Sequence, residues 1–160
     1  RMTIEVKVPR RRLDDLLAAY RGATGVVKFG SVGTAAAKNH IANDGRDSGL
    51  PVATILAIHE YGVGVPERSV IREWVAGNAD VLRRAHSTGT QRELAGRGTR
   101  EDTYKSVGKA ASEGLQRRIR NFIPPPLSPR TMANPDRDPR GIPLWDTGQI
   151  LDSLGYEVES

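Results

Sequence analysis

The chain has 160 residues, 38% hydrophobic but only 5% aromatic, so it is long enough for one domain whose core must be lean and aliphatic. It has no cysteine, which excludes a disulfide framework and a thiolate metal site. No apolar run approaches membrane-spanning length and no signal-peptide core is visible, so the expectation is a soluble protein, intracellular when made.

Met2 to Val8 alternates apolar and polar residues, the period of a half-buried strand. Pro9 ends it, and Leu13, Leu16, Leu17 and Tyr20 follow helical spacing behind a basic first turn, Arg10 to Arg12. Positive charge there opposes the helix dipole, which suggests that these arginines serve a partner or another part of the fold. Val26 to Val32 reads as a second strand. No complete dinucleotide fingerprint surrounds Gly30 and Gly33, and no helix is expected directly after Gly33. Residues 34–50 are small and polar and read as a loop or hairpin extension. Asp44 and Asp47 are fragments of a calcium loop without its terminal glutamate, and His40 and Asn43 form no nuclease site alone.

The stretch PVATILAIHEYGVGVPERSVIR, residues 51–72, organises the chain. Pro51 suits a first helical position, and Val52, Ile55, Leu56 and Ile58 recur at helical steps. Gly62 stands where the helix must turn left-handed and stop. His59-Glu60 invites comparison with a zinc-protease helix, but Val63 holds the position of the second histidine. The reading is therefore structural: His59 at the core edge, Glu60 facing solvent or an arginine. Ser69 is the expected N-cap of a following helix with Val70, Ile71, Trp74, Val75, Val81, Leu82 and Ala85 on one stripe, kinked or shortened at Gly77-Asn78.

Ser87 to Asp102 is polar and glycine-bearing, and is expected to be a mobile loop. An amphipathic helix follows, with Val107, Ala111, Leu115, Ile119 and Phe122 inward and Lys105, Lys109, Arg117 and Arg120 outward. Trp74, Leu82, Leu115, Ile119 and Phe122 should share one core. Pro124 to Pro143 is proline-rich and basic, an extended arm whose interaction residues are Arg130, Arg137 and Arg140. These are expected to meet acids of 144–160, Asp146 and Asp152 among them, on another copy. The N-terminal basic residues Arg10, Arg11 and Arg12 also count as interaction residues, since the two ends of the chain carry opposite charge. A capping-box-like start at Asp146 with Gln149 opens a short helix, and Tyr156 and Val158 alternate as a closing strand.

Two separated motifs carry a resemblance: Ala57-Ile58-His59-Glu60-Tyr61-Gly62 with Val65 to Arg72, and Pro143-Leu144-Trp145-Asp146-Thr147-Gly148-Gln149-Ile150-Leu151-Asp152-Ser153-Leu154. Together, with Asn121-Phe122-Ile123-Pro124-Pro125 at a helix end between them, they resemble the neck or tail-completion proteins of long-tailed phages, also called minor tail or virion morphogenesis proteins. The resemblance spans residues 50–158. Ser69 and Val70 depart from the Pro-Phe of that family's turn. It implies an α+β fold, an antiparallel sheet packed against two or three helices with long loops. It also implies a non-enzymatic subunit of a six-copy ring around the DNA channel at the head–tail junction. Its partners would be further copies, connector and tail-tube proteins, and its place the virion, after assembly in the host cytoplasm. No catalytic, cofactor-binding or metal-binding residues are expected. The competing reading is a basic nucleic-acid-binding module built on Arg10 to Arg12, Arg117, Arg118, Arg120 and the basic arm, although it lacks aromatic interleaving and a helix-turn-helix pattern. A hydrolase built on His59-Glu60 is third.

Overall fold

The computed structural model describes residues 25–159. The expected strand Met2–Val8, the helix after Pro9 and the cluster Arg10, Arg11 and Arg12 lie outside the described residues. The fold is α+β, with helices packed on small antiparallel sheets. Strand β1 (Val26–Ser31) pairs antiparallel with β4 (Leu154–Glu159), so residues far apart in the chain close one ladder. Its register sets Val27 opposite Val158 and Phe29 opposite Tyr156 on one face. On the other face lies the exposed pair Lys28–Glu159. Alternation along both strands follows from this one-sided burial.

After β1 the chain makes a short helix α1 (Gly33–Ala37). None was expected there. Five residues are too few to show a period, and burial of Ala36 rather than any capping side chain accompanies it. The hairpin extension is present as β2 (Asn39–Ile41) with β3 (Asp47–Pro51). Asp44 and Asp47 are turn formers: each accepts a backbone N–H two residues ahead, from Arg46 and Gly49. Pro51, expected as the first helical residue, ends β3 instead, and α2 (Val52–Tyr61) starts one position later. Gly62 stops α2 as expected, with φ 67°.

Helices α3 (Ile71–Leu94) and α4 (Arg100–Arg120) form an antiparallel hairpin beneath the β1–β4 ladder. Asn78 breaks the helical geometry of α3 at the expected kink, and its side-chain amide donates to the Trp74 carbonyl at 2.8 Å. The stretch 87–102 is not a long loop; only residues 95–99 connect the helices. Polar composition misled there, because this part of α3 is stabilised from outside. A Cβ on Gly89 would lie 2.7 Å from the Thr103 side chain, so the missing side chain lets α4 approach. Thr99 and Asp102 close a capping box that starts α4.

The core joins Trp74 of α3 to Ala111, Leu115 and Ile119 of α4, Val52 and Leu56 of α2, and Leu154 of β4. Leu82 packs at its margin. Trp74 lies across Gly114, where a Cβ would sit 2.1 Å from the indole. Phe122 is not part of this core. Helix α4 ends at Arg120, Phe122 takes φ 67° and remains 47% exposed, and Ile123 enters the core in its stead.

Beyond α4, residues 124–143 run as turns with one short helix α5 (Pro129–Met132). The segment is mostly exposed, yet Ile123 before it and Pro143 and Leu144 at its end are buried, which fastens both ends to the same subunit. Helix α6 (Gln149–Ser153) leads into β4. Its start is Gly148, not Asp146. Asp146 and Gln149 reach the β2–β3 hairpin instead: Asn43 donates to Asp146 at 2.8 Å, and the Gln149 amide pairs with both the N–H and the carbonyl of Ile41.

Candidate interaction site

The turn after α2 folds back on the helix that precedes it. Gly62 and Val63 both donate to the Ile58 carbonyl, and Arg68 donates to the His59 carbonyl at 2.7 Å. This brings the start of α3 against Glu60. The Glu60 carboxylate is buried, and it accepts from the Ser69 hydroxyl at 2.8 Å and from the backbone N–H groups of Val70 at 2.7 Å, Ile71 at 3.0 Å and Arg72 at 2.8 Å. Ser69 was expected to cap α3. Its hydroxyl accepts only a long bond from Glu73 while donating to Glu60, so the cap of α3 is a carboxylate from the preceding helix. A negative charge there also complements the positive end of the helix dipole. Glu60 therefore does not face solvent, although it does meet an arginine, Arg72, at 3.3 Å. Burial pushes its carboxyl up, but the N–H donors of Arg72 and Ile71, the Ser69 hydroxyl and the Val70 N–H together hold it below the usual carboxylate value.

Arginines complete the corner. Arg72 stacks over Tyr61 at 4.8 Å and pairs with Glu67 at 2.6 Å. Arg118 of α4 donates twice to the Ser69 carbonyl, at 3.1 and 3.0 Å, and also pairs with Glu73. Arg68 is buried, 5% exposed, and its donors meet the carbonyls of Pro125 at 3.1 Å, Pro126 at 3.4 Å and Pro66 at 3.5 Å. The first motif thus holds the proline-rich segment by its backbone.

The second motif meets the first across a cavity of about 460 Å³. His59, Pro66 and Arg68 line it from one motif, Leu144, Asp146 and Ile150 from the other, and Pro125 to Ser128 with Arg137 close it. His59 is pushed below its ordinary value by burial and then by the Arg68 charge, and its Nδ1 has no hydrogen-bond partner among the described residues.

Of the interaction residues expected from the sequence, three converge here. Arg137 pairs with Asp146 at 3.5 Å, and Arg140 stacks over Trp145 at 4.2 Å while its guanidinium pairs with Asp138. The arginine side chain and backbone N–H of Arg140 hold the Asp138 carboxyl at about 2. The acids that Arg137 and Arg140 meet here are in their own chain. Turns at Asn134–Arg137 and Asp138–Gly141 fold the segment back toward Asp146. Arg130 and Asp152 are exposed, without a charge partner among the described residues.

Sequence reasoning missed Glu60 as a cap and Arg68 as a clamp. The motif containing both was the available signal, but apart from Pro66 their partners lie 9 to 58 positions away. Of the basic residues considered for nucleic acid, Arg118 pairs with Glu73, Arg120 lies 5.9 Å over Trp145, and Arg137 and Arg140 of the arm pair with Asp146 and Asp138. Among the described residues no group of three or more His, Asp or Glu side chains is placed to hold a metal ion, and no helix is long and apolar enough to cross a membrane. Compared with protein-family models, with characterised proteins and with solved structures, the sequence finds no match.

Proposed function

We propose that this chain is a structural subunit of a phage neck, a ring of six copies at the head–tail junction that joins the connector to the tail. The observation that supports this reading most is the meeting of its two motifs. Residues 57–72 and 143–154, quoted above for their likeness to neck proteins, line opposite walls of one cavity and are tied through the proline-rich segment between them. The polar groups of the first motif serve backbone: Glu60 caps α3, and Arg68 and Arg118 hold carbonyls. Such use of charged side chains suits a joint that fixes the shape of a subunit rather than a site that turns over a substrate. Tyr61 and Val63, both more than half exposed at the tip of that joint, are the apolar groups offered to a neighbour.

The role is structural and not enzymatic. Its test is removal of the chain from the phage that encodes it. Particles made without it should separate into DNA-filled heads and free tails, and the supplied chain should restore joining. Complete, infectious particles formed in its absence would overturn the proposal.

A further inference from the structure

The cavity between the two motifs is unbalanced in charge. Arg68 is 5% exposed, and every acceptor its side chain meets among the described residues is a neutral carbonyl. Arg137 beside it has a side chain only 13% exposed and a buried Nε without a hydrogen-bond partner among the described residues. Among the described residues Asp146 is the single carboxylate lining the cavity, and it is paired with Arg137 at 3.5 Å. Two guanidinium groups therefore face one lining acid in a partly desolvated space, with Asp138 near Arg137 outside the lining. A buried cation without a counter-charge is costly, and an anion that enters recovers that cost. The remaining lining is largely apolar, from Ile55, Val65, Leu127, Leu144 and Ile150.

We propose that this cavity binds a small carboxylate carried on an apolar body, with Arg68 and Arg137 as its charge partners and the aliphatic wall as the seat of the body. A volume of about 460 Å³ is within the range of small-molecule pockets, roughly 300–1,000 Å³, and exceeds what a bare inorganic anion fills. Arginine is suited to the carboxylate because its planar fork offers paired donors. Asp146 competes with the ligand for Arg137, so it sets the affinity from inside the site. This inference stands on the charge and shape of the cavity and does not depend on the ring.

The test is titration of the intact chain with benzoate, followed by calorimetry and by nuclear magnetic resonance shifts of the cavity residues. Benzamide, which has the same body without the charge, should bind about ten-fold more weakly or less, the loss expected for charge-assisted hydrogen bonds. Inorganic phosphate tests the apolar part and should also bind more weakly than benzoate. Arg137→Gln should weaken benzoate, whereas Asp146→Asn should strengthen it by freeing Arg137; circular dichroism checks that each variant is folded. If either variant fails to fold, the contrast of the three ligands on the unaltered chain decides. Equal binding of benzoate and benzamide, shifts confined to other surfaces, or no saturation by benzoate would overturn the proposal, and phosphate binding as tightly as benzoate would overturn its apolar part.

Discussion

Between α3 and α4 the contact is made by Trp74, Leu115 and Ile119, with Gly114 and Gly89 letting the chains approach closely. Between Pro124 and Pro143 almost no side chain is buried, and order comes from Arg68 on two carbonyls, Arg137 on Asp146 and Arg140 on Trp145. The first region is held by removal of apolar surface from water, which is non-directional and collectively large. The second is held by a few directional polar contacts that act at its ends. The comparison teaches that this small protein keeps a conventional core for stability and a polar joint for shape. Loss of one contact should therefore have very different consequences in the two regions.

The largest effect should come from the core. Leu115→Ala removes a fully buried side chain from α4 and should cost ~2–5 kcal/mol through lost burial and the cavity left behind. Chemical denaturation measures it, and an unchanged midpoint would contradict the core assignment.

Next comes the carboxylate that couples α2 to α3. Glu60→Gln keeps the shape but removes the charge, and should lower unfolding stability by about 1.5–3 kcal/mol, the worth of hydrogen bonds to a charged group. Its pH dependence sharpens the point. The folded-state value of Glu60 is depressed, so its stabilisation is complete above its ordinary 4.5 and is lost as pH falls through the folded value. His59 is also depressed, from an ordinary 6.5, so its contribution too is lost as the solution becomes more acid, and at a higher pH. Stability should therefore begin to fall below about 6.5 and fall again below the carboxylate range. In denaturation curves taken across pH, His59→Gln should remove the upper step and Glu60→Gln should reduce the lower, to which depressed aspartates such as Asp138 also contribute.

A smaller global effect is expected from the joint. Arg68→Met exchanges a buried charge for an apolar side chain of similar length, so global stability should stay within about 1 kcal/mol of the unaltered protein. Hydrogen exchange at the amides from Leu127 to Gly141 should nevertheless accelerate while that of α4 does not, since Arg68 holds the carbonyls of Pro125 and Pro126. Equal acceleration in both regions would show that the two are not held separately. The smallest effect is Phe122→Ala, within about 0.5 kcal/mol, because this ring is outside the core.

Much of the first region was legible in the sequence. The four-residue recurrence of Val107, Ala111, Leu115 and Ile119 identifies α4, and Gly77-Asn78 marks the kink of α3. Phe122 continues that recurrence on paper, but the helix stops at Arg120 and a left-handed residue turns the ring outward. The end of α3 was illegible because His86-Ser87-Thr88-Gly89-Thr90 has no apolar stripe; its helix depends on α4 across the hairpin. At the site, proximity of the two motifs was not readable at all. Asp146 looked like a local cap, whereas its partners include Asn43, 103 positions earlier. Glu60 looked solvent-facing because nothing local shows that the chain reverses to present three backbone N–H groups to it.

The proposed place of the chain is a ring at the head–tail junction. Electron cryo-microscopy of the particle tests it most directly. The account predicts a ring of six copies below the connector into which residues 25–159 fit with the Tyr61–Val63 corner against a neighbouring subunit. A junction resolved without this chain, or with a single copy of it outside any ring, would contradict the account.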